Sequence, residues 1–268
     1  MSISKWNLHK TRLFKSYKYY EIAANKFNNS KALFELGVKR DFLKAREYYE
    51  RLMKHELNLP GSLYGFSHNR FKDAYVKLAN IYENGYGVPK DYQRAIYYYE
   101  QAIKDNNADS FVNLGNLYET GLGVDQNYLL AKEYYESGAS FSCSLGYLCL
   151  GVLYENGRGV ERNVFLARDY YEIAAYYDIR LVNLFLGILY EKNTVFHHNY
   201  EKSLHFYMLS ATEKNLWALY HLGSYFSKGD VFDIDLAKAI KYFTECIETH
   251  KNNDSCFQPV EKSLFKKI

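Results

Sequence analysis

The stretch Leu114-Gly115-Asn116-Leu117-Tyr118-Glu119-Thr120-Gly121-Leu122-Gly123-Val124 returns as Leu150-Gly151-Val152-Leu153-Tyr154-Glu155-Asn156-Gly157-Arg158-Gly159-Val160. The second copy begins 36 residues after the first, and the same step leads back to Gly85-Tyr86-Gly87-Val88. Self-similarity at a period of this length belongs to stacked repeat architectures. The ruler also finds Leu186-Gly187 and Leu222-Gly223 downstream and Leu78-Ala79 upstream. It passes through Tyr82, Tyr118, Tyr154, Tyr190 and Phe226, then through Ala95, Ala131, Ala167, Ser203 and Ala239. The aromatic doublets Tyr98-Tyr99, Tyr134-Tyr135, Tyr170-Tyr171, Phe206-Tyr207 and Tyr242-Phe243 close each period.

These positions have a local physical meaning. In Tyr75 to Tyr82, apolar residues at 75, 78, 79 and 82 mark one helical face. Glycine at 85, 121 and 157 follows the last helical turn, where a left-handed cap favours it. Asp91, Asn127, Asn163, Asn199 and Asp235 share one register and are preferred N-cap residues, so a second helix is expected to start at each. Ala102, Gly138, Ala174, Ser210 and Cys246 are all small, which suits close helix contact. The expectation is a helix A near 73–84, 108–120, 145–156, 181–192 and 216–228, and a helix B near 91–105, 127–138, 163–177, 199–213 and 235–249.

The repeats are placed at 72–107, 108–143, 144–179, 180–215 and 216–251. Residues 1–71 read as worn repeats, since Tyr19-Tyr20-Glu21-Ile22-Ala23-Ala24 matches Tyr170-Tyr171-Glu172-Ile173-Ala174-Ala175, with 56–71 as an insertion. Residues 252–268 leave the pattern, and Pro259 to Ile268 are read as a tail or capping helix. The fold class expected is all-α: a right-handed α-solenoid of stacked antiparallel helix pairs.

Composition agrees. Of 268 residues, 29 are Tyr, 17 are Phe and only 3 are Pro, which argues against a disordered or linker-dominated chain. The net charge of +3 offers no strong field for nucleic acid. No run of ~18 apolar residues suggests a membrane span, and Met1 to Lys10 lacks the apolar core of a secretion signal. The cysteines 143, 149, 246 and 256 show neither metal-site spacing nor a disulfide framework. A cytoplasmic monomer is the expectation.

The run Leu-Gly-x-Leu-Tyr-x-x-Gly-x-Gly-Val, continued by the Asp or Asn, Ala and paired aromatics of helix B, resembles the SEL-1-like repeat family of tetratricopeptide-type solenoids. The resemblance is strong over 72–251 and weaker over 14–55. The fourth copy departs from it, with Asn193 and Val195 at the glycine positions, and the fifth has Val231; Phe196 and Phe232 replace the usual valine. The resemblance implies an adaptor that assembles other proteins. Members with one disulfide per repeat have been tied to β-lactam chemistry, but this chain has no such cysteine pairs.

Candidate chemistry is sparse. The GxG pairs follow helices, whereas a phosphate loop follows a strand and opens a helix. His197, His198 and His205 form the densest histidine cluster, with Glu201 nearby, and support as an alternative a hydrolase or metal-dependent enzyme in the loop 197–205. The balance of the reading is against an enzyme, a cofactor or a bound metal. The tyrosines could stack on single-stranded nucleic acid, yet most fall at core positions, and no nucleic-acid or membrane partner is expected.

One helix-A stripe lies away from the repeated apolar face. It is polar in the first two repeats, where it includes Asn113 and Asn116. It becomes apolar later, with Leu145, Cys149 and Val152, then Leu181, Phe185 and Ile188, then Trp217 and His221. Helix A commonly lines the concave side of such arrays. These ten residues are therefore the candidate protein- or peptide-binding set, with Leu181, Phe185 and Trp217 as anchors. The alternatives are burial of the same stripe by curvature of the array, and a structural spacer without a ligand.

Overall fold

The computed structural model describes residues 42–56, 64–177, 179–192, 194–229 and 231–252. Among these, every regular element is helical. The helices are α1 (Phe42–Glu56), α2 (Tyr64–Asn84), α3 (Tyr92–Ile103), α4 (Ala108–Thr120), α5 (Tyr128–Ser140), α6 (Ser144–Asn156), α7 (Val164–Tyr177), α8 (Ile179–Lys192), α9 (Tyr200–Thr212), α10 (Leu216–Lys228) and α11 (Leu236–Asn252). The expected helix A and helix B of each repeat are α2/α3, α4/α5, α6/α7, α8/α9 and α10/α11. The tail or capping helix of 252–268 falls, apart from Asn252, outside the described residues.

Two compact units divide the chain: residues 1–110 with 121–125, and residues 111–120 with 126–268. In the first, α1 packs on α2 and α2 on α3. In the second, α5 packs on α6, α6 on α7, and each later helix on the one before it.

Helix starts follow the N-cap reading. The side chains of Asp91, Asn127, Asn163, Asn199 and Asp235 accept hydrogen bonds from the backbone N–H of Arg94, Leu130, Leu166, Lys202 and Lys238 at 2.9–3.0 Å. Each satisfies an N–H that has no partner inside the helix. The first helix A, expected near 73–84, begins earlier: α2 starts at Tyr64 and runs through Asn84 without a break, so residues 64–71 of the expected insertion are helical. The repeat signature starts only at about 72, so helix upstream of it left no mark on the ruler.

The second glycine of the turn answers to packing. A Cβ on Gly159 would overlap Cβ of Tyr128, the first residue of the preceding helix B. In the fourth repeat Val195 takes that place, and the residue in the register of Tyr128 is now the smaller Val164. There the turn is remade as a short 3-10 helix, Thr194–Phe196. Its positive φ passes to His197 (56°) and His198 (45°). Phe196 packs on Tyr190, ring centroids 5.1 Å apart, and edge-on to Phe165 at 5.5 Å.

Candidate interaction surface

Helix-B aromatics organise each repeat. The first of each doublet stacks on the aromatic in the last turns of helix A: Tyr82 with Tyr98, Tyr118 with Tyr134, Tyr154 with Tyr170, Tyr190 with Phe206, and Phe226 with Tyr242. The ring centroids lie 5.5–6.1 Å apart. The second lies over the small residue of helix A. A Cβ on Gly187 would sit 2.6 Å from the Tyr207 ring, and one on Gly223 2.7 Å from Phe243.

A row of carboxylates completes this arrangement. The phenol O–H of Tyr99 donates to Glu83, Tyr135 to Glu119, Tyr171 to Glu155 and Tyr207 to Glu191, at 2.6–2.7 Å. Arg158, in the third turn, adds an ion pair to Glu119 at 3.0 Å. Burial, reinforced by the adjacent carboxylate, holds the phenols of Tyr99, Tyr171 and Tyr207 well above their ordinary value. The 36-residue ruler passes through Glu83, Glu119, Glu155 and Glu191, yet a charged residue near a helix end reads as solvated surface. In the fifth repeat Ser227 and Phe243 stand at these two positions, so acceptor and donor are lost together.

The ten stripe residues divide by burial. Asn113, Asn116, Cys149, Val152, Phe185 and Ile188 are buried; Leu145, Leu181 and His221 are partly buried; Trp217 is 45% exposed. On α8 and α10 the stripe therefore meets the preceding repeat rather than an open groove. Phe185 tilts against Tyr171 at 5.7 Å, and His221 stacks on Tyr207 at 4.7 Å, each ring belonging to the preceding helix B. A helix inside a stack has two neighbours, its own partner and the preceding pair, and the stripe faces the second.

His221 also brings Nδ1 to 3.5 Å from the Glu191 carboxylate. Burial pushes the Glu191 carboxyl up, but hydrogen bonds from His221 and Tyr207 outweigh it and hold the group below its ordinary value. Tyr225 bonds Ser203 at 2.9 Å within the same polar cluster.

The loop histidines have structural surroundings. His198 Nδ1 lies 2.9 Å from the Glu191 carbonyl, and its ring stacks on Tyr200 at 6.0 Å. His205 is exposed on α9, edge-on to Phe206. Among the described residues no group of three or more His, Cys, Asp or Glu could hold a metal ion. No described helix is long and apolar enough to cross a membrane.

Comparison with known proteins agrees with this geometry. No curated protein matches the chain. The crystal structure of a Sel1 repeat protein from Oxalobacter formigenes superposes with a TM-score of 0.67 at 25% identity, over 91% of this chain and 98% of that one. Immunity proteins PA5088 and Pa5087 from Pseudomonas aeruginosa share the fold. Their TM-scores are 0.58 and 0.57 at 19% and 21% identity, over 89% and 87% of this chain and 86% of each of theirs. The Sel1 repeat family itself matches at residues 13–26, 32–52, 72–107, 112–140, 145–176 and 218–245. Those segments exceed half the sequence and omit the fourth repeat, whose turn lost both glycines but whose Tyr207 to Glu191 bond is intact. The chain belongs to the Sel1 repeat family.

Proposed function

We propose that the protein is a non-catalytic scaffold that holds a protein or peptide segment on the helix-A side of its later repeats. Sel1 repeat proteins are generally protein-interaction scaffolds. The observation that carries the choice of surface is the exposed indole of Trp217 on α10. One helix A back in each repeat, at the same register, stand Leu181 and Leu145, both only partly buried. One apolar anchor per repeat suits an extended or helical segment laid across α6, α8 and α10. Tryptophan is among the residues that most often dominate binding energy when desolvated. In this reading Cys149, Val152, Phe185 and Ile188 hold the row in place from beneath, and Asn113 and Asn116 do the same for α4. The scaffold acts as a cytoplasmic monomer that needs no cofactor.

Affinity capture from a lysate of the source cells tests this, with wild type and Trp217→Ala side by side. The variant keeps its helical circular dichroism and loses specifically bound proteins. An identical bound set from both would exclude this surface.

A further inference from the structure

Charge is placed unevenly along the helix-A stripe, whose positions follow the i, i+4, i+7, i+11 spacing of one helical face. In the first two repeats the stripe begins with Asp73 and Asp109. On α6, α8 and α10 it begins instead with Leu145, Leu181 and Trp217 and holds no Asp or Glu; its basic positions are Lys192 and Lys228. The change is clearest at the last position. Asn84, Thr120 and Asn156 turn their side chains back onto their own helices, each donating to the carbonyl four residues earlier at 2.7–3.0 Å. Lys192 and Lys228 take that register on α8 and α10, and both are exposed. Glu191, beside Lys192 in sequence, is directed to Tyr207 and His221. Along α10 the two ends of the stripe, Trp217 and Lys228, are exposed, while His221 and Ser224 between them are partly buried. Eleven residues of helix, about 16 Å, separate each lysine from the apolar side chain at the other end.

We propose that the partner segment held on this surface is acidic, with an apolar side chain against Leu181 and Trp217 and carboxylates about 16 Å away against Lys192 and Lys228. This rests on the scaffold reading above and names the chemistry of its partner. A helical segment spans that distance with about eleven residues, and an extended one with about five. Sign selects the occupant. The chain as a whole is close to balanced, with a net charge of +3, so the local cations rather than an overall field decide which segment is favoured. A basic segment would bring like charge onto both lysines, which is unfavourable however well its apolar residue fits. A cation in the last turn also meets the negative end of the helix dipole. Binding and stability measured together separate these two roles of the lysines.

The test pans a random-peptide display library on the full chain at low salt. Clones recovered by the wild type carry more Asp and Glu than the unselected library. The double variant Lys192→Gln/Lys228→Gln binds those clones about fivefold more weakly, the effect of losing two exposed ion pairs, and with less dependence on salt. Lys192→Glu/Lys228→Glu selects basic clones in their place, and Trp217→Ala loses acidic clones as well. Clones that need Trp217 but show no acidic excess overturn the acidic partner and leave the scaffold surface standing. So does an acidic excess that survives reversal of both lysines. Clones indifferent to Trp217→Ala, or no clones at all, overturn the scaffold surface and the acidic partner with it. Thermal melting is followed on the same proteins. A lowered melting point in Lys192→Gln/Lys228→Gln with unchanged clone binding would assign the lysines to the helix ends alone, and would also overturn the proposal.

Discussion

Tyr171 shows what a single side chain does in this protein. Its ring covers Gly151, its O–H reaches Glu155 at 2.7 Å, and Phe185 of the next helix A leans on its far side. Tyr171→Phe keeps the ring and removes the donor to a charged acceptor, which is worth about 2 kcal/mol. Urea unfolding should show that loss with little change in slope. The double variant Glu155→Ser/Tyr171→Phe copies the fifth repeat and should cost less than the sum of its two singles, because neither partner is left without the other. Glu191 links this chemistry to pH. Its carboxyl is lowered in the folded state, so its stabilising effect is present above the ordinary carboxylate value of 4.5 and is lost as pH falls through the lowered one. Stability measured on acidification should therefore drop in that window, and Glu191→Gln should flatten the drop.

At the scale of the helix, close approach decides which residues are tolerated. Gly187 sits mid-helix in α8, where glycine is disfavoured by about 1 kcal/mol relative to alanine. A methyl there would meet the Tyr207 ring at 2.6 Å, and displacing a ring packed on both sides costs about 1–3 kcal/mol. Gly187→Ala should therefore lower the melting temperature despite its better helix propensity. A rise would mean that the ring shifts freely. The fourth turn shows the same logic in reverse. Loss of its glycines is accompanied by Val164, by a 3-10 turn, and by Phe196 filling the space between Tyr190 and Phe165.

In the second compact unit, stacking of repeats determines which faces remain for a partner. Phe185 is 4% exposed against Tyr171, so Phe185→Glu buries a charge without a counterpart, a loss of several kcal/mol. Circular dichroism should show early melting of this unit; a fully helical Phe185→Glu protein that merely failed to bind would restore Phe185 as a binding anchor. Trp217, by contrast, is 45% exposed.

Periodicity alone is enough for the paired helices of the five repeats from about residue 72 onward, the five N-caps and the paired aromatics, because each depends on residues within one 36-residue period. It also placed the tyrosine excess in the core, through the stacks of 82 with 98 and their copies. Burial of the stripe could not be read in the same way. Leu181 and Phe185 look alike on a helical wheel, and only the position of the preceding helix B buries Phe185 while leaving part of Leu181 open. The Glu83, Glu119, Glu155 and Glu191 row escaped for a related reason. A carboxylate near a helix end becomes an internal hydrogen-bond acceptor only when tertiary packing brings a phenol sixteen residues onward against it. Sequence determined the repeating element; the contacts between elements decided which side chains reach solvent.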